Sequence, residues 1–287
     1  MPENIGILHP GEMGISVAVS AQNSGHTVFW ASEGRSPQTR ERAQSHSLVD
    51  AHSLEELCQT CSIIISVCPP HAAEEVAKRV LAHSFKGLYV DVNAISPQRA
   101  VRIGEAMAEH GTAFVDGGII GGPAWEANTT WLYLSSSEAQ RVADCFSGGL
   151  LQTKVIGERI GKASALKMCY AAYTKGTTAL LCATLGAAEG WGVREELEHP
   201  WSRDDSNFAE QAAQRVRRVT AKAWRFAAEM EEVAATFAAA GMPGGFHSAA
   251  ADIYHRLADF KGHETTPSLS EVLTALLEGE GKDSKDS

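Results

Sequence analysis

The sequence predicts an α/β first half built on a doubly wound sheet, joined by a long helix to an all-α second half. Three observations carry this prediction. Short, continuously apolar runs alternate with helical patterns up to about residue 158. Two glycines, Gly11 and Gly14, punctuate the first strand-to-helix turn. After about residue 160 the strand signal stops and Ala/Leu-rich helical segments take over. Apolar runs without polar alternation suit parallel strands covered on both faces. Strand–helix alternation at this spacing builds βαβ units.

Taken in order, the strand candidates are Ile5–Leu8, Thr27–Trp30, Ser62–Val67, Leu88–Val92 and Ala113–Val115. Helices are expected over Gly11–Ser24, Pro70–His83 and Pro97–His110, the last two opening on a proline, which suits a first helical turn. Thr130–Ser135 and Thr153–Ile156 read as later strands around a helix near 137–147. Ala163–Glu189 is one long helix, Asp204–Ala240 one or two more, Phe246–Phe260 another and Ser268–Leu277 a short one. The expected domains are therefore 1–158, which binds a dinucleotide, and 159–278, helical, for substrate and dimerisation. Residues 279–287 are a polar tail expected to be disordered.

Of the 287 residues, 44% are hydrophobic and 21% charged, which is ordinary for a globular chain and argues against disorder. The 25 basic and 35 acidic residues give a net charge of −10, which argues against nucleic acid or an anionic membrane as a partner. No apolar run approaches the ~20 residues of a membrane span, and Met1–Asn4 shows no secretory signal, so a cytoplasmic location is expected. Six cysteines occur, several in apolar segments, and are read as reduced, buried thiols. Cys58 and Cys61 form a CxxC without a second pair or paired His, so no metal site is expected.

The first turn reads Ile5-Gly-Ile-Leu-His-Pro-Gly-Glu-Met-Gly14. Strand, tight turn and helix follow in the order a Rossmann-type turn requires, with helix N-terminal N–H groups placed to hold a pyrophosphate. His9, Pro10, Gly11, Glu12 and Met13 are the candidate cofactor residues here, although His9 stands where the usual fingerprint has glycine. At the end of the second strand the ribose-reading position is Ser32, with Arg35 and Ser36 just beyond. A hydroxyl and a guanidinium suit a 2′-phosphate, so NADP is favoured over NAD. Glu33 opposes this unless it points outward, and Arg35 paired with Glu33 in a solvated loop is the plainer alternative. Cys68, Pro69 and His71 follow a central strand and Asn93 the next one, the sheet edge where such folds place ligands; ordinary turn chemistry would also account for them.

With these motifs in view, the chain resembles the β-hydroxyacid dehydrogenase superfamily, which includes 6-phosphogluconate and 3-hydroxyisobutyrate dehydrogenases. The resemblance rests on Ile5–Gly14, Ser66–Pro69, Asp116–Gly122 and Gly161–Tyr170, in order along nearly the whole chain. The turn and the C-terminal half resemble a branch whose last domain is of unknown function. The resemblance implies hydride chemistry, a homodimer, and a small-molecule substrate bound between Gly121, Gly122 and a catalytic helix carrying Lys167. Two departures stand out. Ile120 occupies the place of the family's substrate-binding Ser, and Ala171 that of its catalytic-helix Asn.

Oxidation of an alcohol needs a proton acceptor at the hydroxyl. A lysine desolvated between apolar neighbours such as Leu166 and Met168 suits that role, so Lys167 is the candidate general acid/base and Tyr170 its neighbour one turn on. Lys162 and Lys175 read as surface charges. Arg215, Arg217, Arg218, Lys222 and Arg225 form a basic stretch that either receives an anionic group or is a solvated face paired with Glu210, Glu229 or Glu231. His247 and His255 carry no assigned role. The leading expectation is an NADP-dependent oxidoreductase of a small hydroxy acid or related alcohol or carbonyl. The alternatives are an imine reductase-like enzyme and a non-catalytic NADPH-binding protein.

Overall fold

Eight strands form one sheet in the computed structural model, in the order β3-β2-β1-β4-β5-β6-β7-β8. The structure describes residues 2–204 and 207–279; from residue 280 on, the tail lies outside the described residues. The strands are β1 Asn4–Ile7, β2 Thr27–Trp30, β3 Val49–Asp50, β4 Ile63–Ser66, β5 Leu88–Asp91, β6 Ala113–Ile120, β7 Trp131–Ser135 and β8 Gln152–Val155. All neighbouring pairs are parallel except β6 with β7. The helices alongside are α1 Glu12–Asn23, α2 Pro37–Ser45, α3 Leu54–Thr60, α4 Ala73–Ala82, α5 Pro97–Glu109 and α6 Ala139–Asp144. Two buried clusters, one holding Ile5, Val28, Ile63, Val90 and Val115, the other Leu57, Ile64, Tyr89 and Ile103, include alternate residues of β4 and β5. That double burial is why these strands read as unbroken apolar runs.

The chain divides into two compact units, Met1–Met168 and Cys169–Ser287. The division falls inside α7, Lys162–Gly190, about ten residues beyond the boundary read from the sequence. The second unit continues with α8 Arg194–Asp204, α9 Phe208–Ala239, α10 Gly245–Arg256 and α11 Leu269–Glu278. A full capping box opens α11: Ser268 Oγ accepts from Glu271 N–H, and the Glu271 carboxylate accepts from Ser268 N–H.

Three elements in 37–60 have no counterpart in the sequence reading. Only Ala43 of α2 is buried, β3 is two residues long, and α3 is a two-turn helix capped by Ser53. β6 runs five residues past the predicted Val115. Its Gly117 and Gly118 carry no strand propensity, yet they stay paired with Leu134 and Tyr133. A Cβ on Gly117 would lie 2.7 Å from Val92 Cγ1. α8 likewise has no counterpart in the sequence reading; it has Pro200 inside it. Cys169 is exposed, which corrects the expectation that the thiols are buried as a group. Cys58 and Cys61 are buried, and burial pushes their thiols up to about 11 and about 12. Among the described residues, no helix is long and apolar enough to cross a membrane.

Candidate functional site

The sheet order reverses between β1 and β4: the chain passes from β1 outward to β2 and β3, then returns to β4 on the other side of β1. Ligands of open α/β sheets bind at such a switch point, beyond the carboxyl ends of the strands. The segments there are the 8–11 turn after β1 and the 67–72 loop after β4.

The first turn is tight. Gly11 N–H donates to His9 O at 2.8 Å, and Ile15 N–H donates to Gly11 O as α1 begins. Gly14 is sterically required, because a Cβ there would stand 2.1 Å from His9 O. Gly11 differs: its φ of −72° is open to any residue, and a Cβ there would meet nothing within 4 Å. Its glycine therefore leaves space rather than relieving strain, as close approach of a phosphate requires.

His9 and Arg35 line one small pocket with Leu8, Ala31, Glu33, Leu54, Val76 and Arg79. Arg35 donates through Nη2 to Leu8 O at 2.9 Å, so its guanidinium turns back over the first turn. Two buried polar atoms in this pocket, His9 Nδ1 and Arg35 Nε, have no hydrogen-bond partner. Burial first, then the Arg35 and Arg79 charges, push His9 down to about 4, so its imidazole is neutral at pH 7. Buried polar atoms without partners are uncommon. His9 belongs to the same turn as the open Gly11 position, the turn that holds a phosphate-bearing ligand in such folds. Arg79, from α4, was not singled out in the sequence because nothing in the pattern of α4 marks it.

Ser32 is buried at the end of β2, and its carbonyl accepts from Arg35 N–H in a turn through Gly34, φ +67°. Ser36 caps α2, its hydroxyl accepting from Thr39 N–H at 3.3 Å, so that hydroxyl already serves its own helix.

The loops after β4 and β5 are joined by one side chain. Asn93 Oδ1 accepts from Cys68 N–H at 2.5 Å, and Asn93 Nδ2 donates to Ser66 Oγ at 3.1 Å and Asp91 Oδ2 at 2.9 Å. Asp91 Oδ1 accepts from Asn93 N–H at 2.9 Å. Burial, and secondarily the nearby Asp116 charge, push the Asp91 carboxyl up to about 7, while its Asn93 hydrogen bonds pull the other way. Cys68 is pushed up to about 12, chiefly by burial, and is a thiol rather than a thiolate at neutral pH. Pro69 precedes a short 3₁₀ turn, Pro70–Ala72, which holds His71.

Asp116 was missed as an individual residue. Its Oδ2 accepts from the backbone N–H groups of Gly161, Ala163 and Ser164 at 2.9, 3.0 and 3.2 Å, and from Ser135 Oγ at 2.9 Å. Its Oδ1 accepts from Ser164 Oγ at 2.6 Å. The first N–H groups of a helix lack partners within it, and this strand carboxylate supplies them for α7. A Cβ on Gly118 would lie 2.8 Å from Ala163 O and 3.0 Å from Lys167 Cβ, so β6 lies directly against the first turns of α7. Lys167, whose Cβ faces Gly118 at this approach, is half-buried. The one signal in the sequence was an acid inside an apolar strand run. At the far end of β6, Gly121 (φ +124°) and Gly122 are exposed, and Thr130 Oγ1 donates to Gly122 O at 2.7 Å.

Tyr170 is exposed, whereas Ala171, standing where the family has Asn, is fully buried. Lys175 corrects the surface-charge reading: its side chain is only 14% exposed, paired with Glu229 and 4.7 Å above the Phe226 ring. His247 is buried between Phe237 and Phe246, while His255 reaches Glu231 at 3.4 Å. Among the described residues, no cluster of His, Cys, Asp or Glu could hold a metal ion.

Comparison with known proteins agrees with this architecture. Residues 4–146 match the NAD binding domain of 6-phosphogluconate dehydrogenase, and residues 188–257 match a domain of unknown function, DUF1932. A conserved protein of unknown function, described as structurally similar to 3-hydroxyacid dehydrogenases, is 30% identical, with 90% of this chain and 97% of that one covered and a TM-score of 0.65. The 3-hydroxyisobutyrate dehydrogenase of Mycobacterium tuberculosis is 20% identical, covers 96% of this chain and 99% of its own, and has a TM-score of 0.68. An imine reductase from Myxococcus stipitatus shares the fold at 18% identity, 97% and 100% coverage and a TM-score of 0.56. An uncharacterised 28.5 kDa protein of Methanothermus fervidus is 32% identical over 165 residues, 58% of this chain and 63% of that relative's length. The chain therefore carries an NAD(P)-binding domain and belongs to the β-hydroxyacid dehydrogenase superfamily, in a branch ending in DUF1932.

Proposed function

We propose that this protein is an NADP-dependent oxidoreductase moving a hydride between nicotinamide and a small hydroxy acid or related alcohol or carbonyl compound. One observation carries the cofactor part. His9 Nδ1 and Arg35 Nε are buried without partners beside a turn whose Gly11 leaves room for phosphate. The residues that would hold the cofactor are His9, Pro10, Gly11, Glu12 and Met13 at the first turn, Ser32, Arg35 and Ser36 at the ribose, and Cys68, Pro69 and Asn93 toward the nicotinamide. Arg35, with Arg79 nearby, favours NADP, because guanidinium groups hold a phosphate dianion well. Glu33 lines the same pocket and opposes this.

When bound, nicotinamide supplies or takes up the hydride. The residues of the chain handle the proton. Lys167 would take the hydroxyl proton during alcohol oxidation and return one to the carbonyl oxygen during reduction. Gly121 and Gly122 would present backbone N–H groups to the substrate, and Tyr170, a turn beyond Lys167, assists. The absence of a polar side chain at Ile120 and Ala171 supports a second reading, imine reduction with Tyr170 or Lys167 as proton donor. A homodimer is part of the proposal. Tyr173 is 73% exposed and Trp191 85%, and with Leu180 they give the second unit apolar surface that a second copy would cover. We place the protein in the cytoplasm, in keeping with its free cysteines.

The test is nicotinamide absorbance with NADPH or NADP against hydroxy acids, sugar acids, aldehydes and cyclic imines. Turnover of an alcohol/carbonyl pair supports the leading reading, and turnover of imines alone supports the second. Tight NADPH binding with no hydride exchange would make this a cofactor-binding protein without catalysis.

A further inference from the structure

In a chain of net charge −10, one groove of the second unit is basic. It runs along one face of α9, from Arg215 through Arg218 and Lys222 to Phe226, with Thr178 of α7 on its wall. Seven residues of helix separate Arg215 from Lys222, about 10 Å along the axis at ~1.5 Å per residue. The three cations therefore stand in a row, at i, i+3 and i+7, where like charges repel.

The sequence leaves two readings of this stretch, a receiver of an anionic group or a solvated face paired with Glu210, Glu229 or Glu231. Two of those acids are engaged elsewhere, Glu229 with Lys175 and Glu231 with His255 at 3.4 Å. Glu210 accepts from Nε2 of Gln214, a residue of the groove's lining, at 3.1 Å and pairs with none of the three cations. Among the described residues, neither Arg218 nor Lys222 forms an ion pair. Arg215 is held in place by neutral groups: Nε donates to Thr178 Oγ1 at 2.6 Å, and Nη2 to Thr177 Oγ1 at 2.6 Å and Thr174 O at 2.9 Å. Its charge is oriented without being neutralised. The apolar part of the lining is Val219 and, at the far end, Phe226, whose ring packs edge-on to Tyr254 with centroids 5.6 Å apart; Gln211 and Gln214 add neutral polar groups.

We propose that this groove binds a small, elongated anion carrying at least two phosphoryl or carboxylate groups, the anionic groups on Arg215, Arg218 and Lys222 and the carbon frame against Val219 and Phe226. Arginine forks match both kinds of oxyanion, and a concave row of one charge sign concentrates such ligands. The inference goes beyond the cofactor reading and does not depend on it, because every residue involved belongs to the second unit.

The experiment is isothermal titration of the full chain with fructose 1,6-bisphosphate and with citrate, using neutral fructose as the blank. The proposal expects one of the two anions to bind. It also expects at least tenfold weaker binding in Arg218→Gln/Lys222→Gln, and no change in Lys154→Gln, an exposed lysine on β8. The charge-keeping pair Arg218→Lys/Lys222→Arg should bind within about threefold of wild type, which separates loss of charge from misfolding. Which anion binds identifies the oxyanion. Three results would overturn the proposal. Neither anion binds wild type at millimolar concentration. Binding is lost in Arg35→Ala but kept in the groove variant, placing the anion at the cofactor turn. Or the groove variant dissociates a dimer in sedimentation while wild type binds neither anion, making the groove a contact between copies.

Discussion

Asn93 Oδ1 accepts a hydrogen bond from Cys68 N–H at 2.5 Å, tying the loop after β5 to the loop after β4. The amide cannot flip without opposing donors, because its Nδ2 is spent on Asp91 and Ser66. Two loops at the cofactor end of the sheet are therefore set by one side chain. Removing it leaves Asp91 Oδ2 and the Cys68 N–H without this partner, at about 1–3 kcal/mol for each unsatisfied group, while Asp91 Oδ1 keeps the Asn93 backbone N–H. Asn93→Ala should weaken NADPH binding by about tenfold or more in a fluorescence titration. Unchanged affinity would mean that these loops do not position the cofactor.

Gly11 and Gly14 should respond differently to the same substitution. Gly14→Ala forces a Cβ against His9 O and should lower the melting temperature by many degrees or abolish folding. Gly11→Ala places a methyl in open space without strain, so the melting temperature should stay within a degree or two while NADPH affinity falls. Thermal denaturation and cofactor titration of both variants check the contrast.

Arg35 should discriminate between the cofactors. Arg35→Ala should weaken NADPH by about 1–3 kcal/mol, the size of a charge-assisted hydrogen bond, and leave NADH nearly unchanged. Equal dissociation constants for the two cofactors in the wild type would reject the preference.

Asp91 gives a pH test. Its folded carboxyl is raised to about 7, above the ~3.9 of an unfolded Asp. The folded state therefore holds the proton more tightly. That contribution to stability is complete below about pH 4 and is lost as pH rises through 7. Between pH 4 and 7 the wild type should lose stability relative to Asp91→Asn, and above 7 the gap should level off. Urea midpoints across that range measure it, and a constant gap would show that Asp91 does not titrate there.

These sites were legible in the sequence to unequal degrees. The first turn could be read because strand, glycines and helix follow within ten residues. Arg35 stands out in the sequence because the turn after β2 has a fixed place in such folds, and its role remains a proposal. Asp116 acts across 45 residues on the start of α7, a distance no local pattern spans. Residues 37–60 carry no legible element in the sequence because α2 buries a single residue and β3 has two, so neither shows a period. Lys175 read as a surface charge because its partner Glu229 lies 54 residues away.

Lys167 carries the central claim. It stands on the first turns of α7, which Asp116 fixes to β6. The decisive measurement is steady-state turnover by nicotinamide absorbance on the substrate found in the screen, for wild type, Lys167→Ala and Lys167→Arg, with NADPH dissociation constants alongside. Lys167→Ala should lose about 10²–10⁴-fold in kcat, the usual contribution of a positioned proton-transfer group, with NADPH affinity nearly constant. Lys167→Arg should not recover it, because a guanidinium does not give up its proton at working pH. Near-full turnover in Lys167→Ala would contradict the account and make Tyr170 the next residue to test.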